Sequence, residues 1–294
     1  MQKRSVFFPL FCIGACFFFT TCGLDEYYIL SEPVTSYGTS ITSTVTWDEW
    51  YVDFITNEVL NADYYPSKNA GFVFLGTGVY YKIYNSASVL ESHRSQIENV
   101  NTQSNYSAAA TKMIETYGYQ PLDTYPSMDW TPFVACAERN QRVQFRLKSY
   151  SNASAAADFS ALHRTNACIA FDGRYYGFAA GSTLIDSFAY DESAEQWLDG
   201  NNNPVSFDAI TFLIPYRNIG QYSFDFFDDD ENDSSHVRDR EPQDGDVDYY
   251  YSSGVSTETY YVQLYAVAVG RDTNYTTSYS LVLDLGTIPI KKGE

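Results

Sequence analysis

From Tyr260 to Val269 the chain reads Tyr-Tyr-Val-Gln-Leu-Tyr-Ala-Val-Ala-Val, and Gln263 is its only polar side chain apart from the phenol hydroxyls. A strand resting one face on a core alternates apolar and polar residues, whereas a strand covered on both faces loses that alternation. The run is rich in β-branched and aromatic residues, which suit a pleated surface, and it reads as the second kind. Downstream, Tyr279, Leu281, Leu283 and Leu285 alternate with Ser280, Val282 and Asp284, the pattern of a half-buried partner. The short polar link from Gly270 to Thr277 predicts that the two form an antiparallel hairpin.

Other stretches carry the same signature. Ile41, Ser43, Val45 and Trp47 alternate with threonines, while Asp48 to Leu60 is ambiguous between helix and strand. Phe72–Leu75 and Val79–Tyr84 are two strand pieces divided by Gly76-Thr77-Gly78, a glycine pair that suits a bulge or turn. Arg142 to Lys148 alternates cleanly: Val143, Phe145 and Leu147 point one way, and Arg142, Gln144, Arg146 and Lys148 form a face expected to be wet. Asp172-Gly173 between Cys168–Phe171 and Arg174–Tyr176 predicts a type I′ hairpin turn. Strands are expected at Ala209–Ile214 and Tyr222–Phe227, and a short helix at Asp191–Leu198 before the turn at Gly200–Pro204. The 27 tyrosines and 20 phenylalanines fit such strands better than a ligand-stacking role.

Helical spacing appears in one section. Ser88-Val89-Leu90-Glu91 has the spacing of a capping box, and Val89, His93, Ile97 and Val100 follow at helical intervals. A second short helix is expected from Ala108 to Tyr117, capped by Ser107, with Met113, Ile114 and Tyr117 inward and Gly118 as its stop. His93 has no evident catalytic partner and reads as a packed or rim residue.

Asp225 to Asp248 holds eleven acidic residues against Arg238 and Arg240, a net −9 in twenty-four positions. Asp228, Asp230 and Asn232, or Asp244, Asp246 and Asp248, would present alternating oxygens to a hard cation such as Ca²⁺. An EF-hand loop needs glycine at its sixth position and a bidentate acid at its twelfth; counted from Asp244 those are Tyr249 and Val255. The reading preferred on these grounds is a solvated loop kept open by its own repulsion, with no metal and no cofactor.

The amino-terminal residues bear on location. Lys3 and Arg4 precede an almost wholly apolar run from Val6 to Phe19, then Thr20-Thr21-Cys22-Gly23. A basic head, an apolar core of this length and a small-residue exit form an export signal, too short for a comfortable membrane span. Phe19-Thr20-Thr21-Cys22 resembles the lipobox of bacterial lipoproteins in its looser, spirochaete-type form. That resemblance covers residues 1–23. It implies cleavage before Cys22, a diacylglyceryl group on its thiol, acylation of the new amino terminus and a place in the cell envelope, at the outer membrane or its periplasmic face. Ile13-Gly14-Ala15-Cys16 fits the tighter lipobox pattern, but using it would leave only Val6 to Ile13 as the apolar core and Phe17-Phe18-Phe19 exposed. The organisation expected is a signal over residues 1–21, a tether over 22–38 and a β-rich body over 39–294, either one sandwich with a large insertion or two sandwich-like halves.

A second resemblance concerns the body. Tyr260-Tyr261-Val262-Gln263-Leu264-Tyr265-Ala266-Val267 is similar to the penultimate strand of fibronectin type III-like sandwiches, and Val79-Tyr80-Tyr81-Lys82 to the third. It implies a mainly β, sandwich-like fold with a small helical insertion near residues 86–118, and a binding or spacer role. The spacing departs from the family, because about 175 residues separate two pieces that a sandwich of ~100 residues would hold close.

The whole chain carries a formal charge of −19, and removing Lys3 and Arg4 with the signal makes it −21 (16 basic against 37 acidic). Such a body is repelled by nucleic acid and by anionic headgroups, so the acyl groups are the expected membrane contact. Of five cysteines, Cys12, Cys16 and Cys22 lie in the amino-terminal segment. Cys136 and Cys168 remain for the body, where one bridge and two buried thiols are both open readings. There is no phosphate loop, no His-Glu-x-x-His, no Gly-x-Ser-x-Gly and no Cys-x-x-Cys, and only His93, His163 and His236 offer imidazole. The expectation is a lipid-anchored envelope protein acting as a non-catalytic binding, adhesion or structural module toward a protein or glycan ligand. The alternative is a carbohydrate-binding or carbohydrate-active protein using surface tyrosines and carboxylates.

Overall fold

The computed structural model describes residues 30, 32–35, 50–56, 72–125, 133–135, 140–150, 162, 165–220, 222–227, 239–256, 258–272 and 274–292. The alternating run Ile41–Trp47, Cys12, Cys16, Cys22, Cys136, His163 and His236 lie outside them.

In chain order the strands begin with β1 (Val34–Thr35), β2 (Val52–Ile55), β3 (Phe72–Tyr84), β4 (Gln120–Pro121), β5 (Asp123–Tyr125), β6 (Val134–Ala135) and β7 (Arg142–Arg146). There follow β8 (Cys168–Phe171), β9 (Arg174–Ala179), β10 (Asp186–Asp191), β11 (Gln196–Leu198), β12 (Pro204–Val205) and β13 (Ile210–Phe212). The last are β14 (Ile214–Tyr216), β15 (Tyr249–Tyr250), β16 (Thr259–Asp272) and β17 (Thr277–Lys291). Helices α1 (Ala87–Glu98) and α2 (Ala108–Thr111) lie between β3 and β4. One sheet runs β1-β2-β7-β8-β9-β10-β11-β12, with β13 also on β9; the other runs β15-β3-β16-β17, with β4 and β6 also on β3; β14 pairs β5. The fold is mainly β and sandwich-like, with antiparallel sheets.

One buried cluster joins the two sheets: Val52, Phe54, Val143, Phe145, Ile169 and Phe171 from the first, with Tyr81, Ile83, Val262, Leu264, Ala266, Ile288 and Ile290 from the second. The even-numbered residues of β16 thus face the sandwich interior. Its odd-numbered Tyr265, Val267 and Val269 pack against Leu90, Ile97, Ala109, Ala110 and Met113 of the helical insertion. This double cover is why the run from Tyr260 shows no polar alternation. The two pieces resembling fibronectin strands lie side by side, with Lys82 opposite Gln263 and Tyr80 opposite Tyr265.

The Gly76-Thr77-Gly78 stretch does not divide β3; it is a bulge within it. Val269 faces Gly76 and Gly270 faces Phe74, which leaves Leu75 unpaired, and Gly76 has φ 136°. Asp172 and Gly173 both have positive φ, as a type I′ turn requires. The cap of helix α1 lies two residues before the expected one: Ser86 is extended and its hydroxyl accepts from Val89 N–H. α2 runs on into a π-helical turn, Lys112–Thr116, and Gly118 at φ 66° ends it.

Four expectations need correction. Asp191–Leu198 is not helical; β10 and β11 form a hairpin in which Tyr190 faces Trp197. The Asp191 carboxylate accepts from the Ser193 and Ala194 N–H groups and so holds a turn whose last residue, Glu195, has φ 51°. Tyr222–Phe227 forms no strand; Phe224 and Phe226 are buried, but only Tyr222 makes a bridge, to Arg217. Beyond Arg142, the polar face of β7 and the residues after it is dry: Arg146 and Lys148 are 1% and 4% exposed. β7 lies between β2 and β8, and both cations sit on the Tyr150 ring, at 5.1 and 4.8 Å from its centre. Lys148 also lies 3.6 Å from the Asp225 carboxylate. Finally, the acidic section is not an open loop over residues 239–248, because Asp246 and Asp248 are ion-paired with Arg217 and Arg240; Asp228, Asp230 and Asn232 lie outside the described residues.

Candidate functional site

Arg217 follows β14 and is fully buried, a placement that destabilises a guanidinium unless its donors are met. Its Nε donates to Asp248 Oδ2 (2.8 Å), and its Nη2 donates to Asp248 Oδ1 (2.9 Å) and Asp246 Oδ2 (3.0 Å). Its Nη1 donates to the Arg240 carbonyl (3.2 Å). Arg240 Nη2 lies 2.6 Å from both oxygens of Asp246, with its guanidinium 4.3 Å from the centre of the Tyr222 ring. From the opposite side the Tyr81 hydroxyl donates to Asp248 Oδ2 (2.8 Å) and accepts from Asn218 N–H (2.8 Å).

The local electrostatics follow from this packing. Burial, seconded by Asp248, pushes the Tyr81 phenol well above its ordinary value. Burial opposes the Arg217 charge, but its hydrogen bonds and attraction to Asp248 outweigh that and raise its pKa. Burial also works to raise the Asp246 carboxyl; the Gln243 amide, Arg240 and Arg217 together prevail and hold it below 3.8.

These contacts fix the chain entering β15. Lys82 Nζ donates to the Val247 carbonyl (2.8 Å) and the Gly118 carbonyl (3.3 Å), and Ile83 N–H donates to the Asp248 carbonyl (2.9 Å). Beyond β15 the Asn85 side chain brackets Ser252, donating to its carbonyl (2.9 Å) and accepting from its N–H (2.8 Å). A segment so tied at both ends displays its outward side chains at fixed positions. Val247, Tyr250, Tyr251 and Val255 are 58%, 41%, 45% and 40% exposed. They are four of the seven large apolar or aromatic side chains most exposed among the described residues, gathered in nine consecutive positions.

Tyr250 leans on a further group of rings. It stacks on Tyr84 at 5.9 Å and meets His93 edge-on at 5.0 Å, while His93 stacks on Tyr117 at 4.1 Å. His93 is not partnerless: Nδ1 lies 3.2 Å from the Tyr84 hydroxyl. Burial, then the Lys82 charge, lowers its pKa from 6.5, so at neutral pH it is an uncharged ring among tyrosines. The arrangement presents stacking surfaces and hydrogen-bonding edges.

Of the carboxylates considered as metal ligands, Asp246 and Asp248 do come together, but around Arg217 and Arg240. Asp244 stands apart, exposed. No group of three His, Cys, Asp or Glu side chains suited to a metal ion occurs among the described residues. Cys168 is a free, buried thiol in β8, its pKa raised by that burial; its candidate partner Cys136 lies outside the described residues, as does Cys22. No helix among the described residues is long and apolar enough to cross a membrane.

Sequence reasoning missed Arg217, Tyr81 and the clamp they form. One signal existed: Arg217 is the only Lys or Arg between Arg174 and Arg238, and it directly follows the largely apolar Phe212–Tyr216. A lone cation there, upstream of a −9 section, calls for acidic partners. Comparison with protein-family models, with curated proteins and with solved structures finds no match for this chain.

Proposed function

We propose that this chain is a lipid-anchored protein of a cell envelope, working as a non-catalytic binding module whose recognition segment is residues 247–255. The observation that carries the binding reading is the two-ended clamp: Asp248 held by Arg217 and Tyr81, and Ser252 held by Asn85, with Tyr250 and Tyr251 turned outward between them. Rigid, outward tyrosines offer contact area at little conformational cost, and tyrosine dominates many recognition surfaces for that reason. The anchor rests on Phe19-Thr20-Thr21-Cys22 after an apolar run; two or three acyl chains at roughly 0.8 kcal/mol per buried methylene would hold the protein stably.

Metabolic labelling with an alkyne fatty acid tests the anchor. The wild-type chain takes up label and partitions with membranes, and Cys22→Ala loses both. Label kept in Cys22→Ala and lost in Cys16→Ala would move the anchor, and label absent from the wild type would overturn it. For the module, Tyr250→Ala with Tyr251→Ala should abolish retention of partners cross-linked at the cell surface while leaving the fold intact.

A further inference from the structure

We infer that the corner of rings formed by Tyr250, His93 and Tyr117, with Gln96 at its rim, binds a neutral glycan chain. The inference rests on the reading of this chain as a binding module and names the class of its ligand.

Three separate elements build the corner. Tyr250 comes from β15, His93 and Gln96 come from α1, and Tyr117 closes the π-helical turn that follows α2. The His93 ring lies nearly parallel to Tyr117, at 19°, and nearly perpendicular to Tyr250, at 89°. The two tyrosine rings therefore stand steeply inclined to each other, with the imidazole in contact with both. Tyr84, fully buried, supports Tyr250 at an interplanar angle of 29°. Tyr250 is exposed and Tyr117 and His93 are half-buried, so each ring of the corner reaches solvent.

Uncharged polar groups line the same corner. The Tyr117 hydroxyl donates to Gln96 Oε1 (2.8 Å), and Gln96 Nε2 donates to Ser92 Oγ (3.4 Å). His93 Nδ1 meets the Tyr84 hydroxyl, and its Nε2 has no partner among the described residues. No Lys, Arg, Asp or Glu side chain among the described residues hydrogen-bonds or pairs with Tyr117, His93 or Tyr250. The charges of α1 are engaged with one another and with β17: Arg94 pairs with Glu91, Glu98 and Asp284.

Ring faces with neutral hydrogen-bonding groups at their edges suit a sugar. A pyranose carries C–H bonds on a flat face that packs on a tyrosine, and hydroxyls around its rim that an amide, a phenol or an imidazole meets. Two inclined rings can take successive units of a chain, because neighbouring sugars are turned about the glycosidic bond. The net charge of −19 repels an acidic polysaccharide, and the corner holds no carboxylate to fix a cationic ligand.

Isothermal titration with cellohexaose, maltohexaose and chitohexaose tests the inference, using the full chain solubilised in a detergent without a sugar head group. At least one of the three binds the wild type. Tyr117→Ala and Tyr250→Ala each weaken that binding about fivefold, the effect of losing one ring face, and Gln96→Ala weakens it about threefold. Tyr250→Phe, which keeps the ring, stays within about twofold of the wild type. Tyr275→Ala, which removes a 75% exposed ring at the tip of the β16–β17 hairpin, changes nothing. Unchanged thermal unfolding in each variant shows that the fold survives. No binding of any of the three sugars would overturn the inference, as would affinity that both Tyr117→Ala and Tyr250→Ala leave intact. Hexagalacturonate bound as tightly as the neutral sugars would overturn it too. Failure here with partner retention still dependent on Tyr250 and Tyr251 leaves the binding-module reading standing, whereas failure of both overturns the two together.

Discussion

Arg217 and Asp248 meet through two hydrogen bonds, Nε to Oδ2 at 2.8 Å and Nη2 to Oδ1 at 2.9 Å, with both side chains fully buried. The pair ties the end of β14 to the start of β15 across thirty-one positions of sequence. Asp248 also receives the Tyr81 hydroxyl, so β3 is bound into the same node. Breaking one half of such a pair leaves the other charge buried without a partner, which costs far more than the intact pair contributes. Arg217→Met should therefore lower the unfolding free energy by about 3–5 kcal/mol, read from urea titration. The same variant should expose Tyr249–Tyr251 to chymotrypsin under native conditions. A loss under about 1 kcal/mol would show that the node is dispensable.

The acidic half of the node predicts a pH response. Asp246 has its folded pKa held below 3.8, so the stability it adds is fully present above the unfolded value and disappears as pH falls through the lower, folded one. Arg217, its pKa raised, stays charged throughout. Asp246→Asn should lower stability at neutral pH and flatten its decline between about pH 5 and pH 2. Parallel acid-unfolding curves for the two proteins would contradict this.

How much of this was legible beforehand depends on the range of the interaction. The double cover of β16, the Asp172-Gly173 turn and the glycine bulge of β3 are written in neighbouring residues, because periodicity and positive φ are local requirements. Asp248 is different. Its neighbours mark it as one carboxylate in an acidic run, and what makes it structural is Tyr81, 167 positions away, and Arg217. Arg146 and Lys148 misled for the same reason: a charged face reads as wet until the rings of Tyr150 and the flanking strands are in place. The Asp191–Leu198 stretch failed locally, because a four-residue turn ending in a left-handed Glu195 carries no glycine to announce it.

His93 should titrate below 6.5, since burial and then Lys82 both disfavour its charged form. For a base with a lowered folded pKa, the unfolded chain binds the proton more readily. The linked stability is thus fully present above 6.5 and falls as pH drops from there toward the folded value. Proton NMR of the imidazole C–H resonances, assigned with His93→Gln, gives the value directly. A titration at or above 6.5 would mean that contact with the Tyr117 and Tyr250 rings favours the imidazolium more than burial opposes it.

The outer edge of β17 is fifteen residues long, the length at which an unpaired edge invites a second chain. The helical insertion closes part of it with side chains. Asn101 donates to the Val282 carbonyl (2.9 Å) and accepts from its N–H (3.0 Å), and Ser107 Oγ does the same for Tyr279 at 3.2 Å each way. Two side chains thus stand where a neighbouring strand would bond, and Pro289 further along offers no N–H. This explains why Ser107, placed to cap α2, makes no cap bond there. Asn101→Ala, Ser107→Ala should cost about 1–3 kcal/mol for the lost hydrogen bonds. The more telling change is in solution behaviour: with Tyr279 and Val282 left open, the double variant should self-associate with a gain of β signal, seen by light scattering and infrared spectroscopy. A destabilised variant that stays monomeric would show that these bonds fasten the insertion to the sheet without guarding its edge.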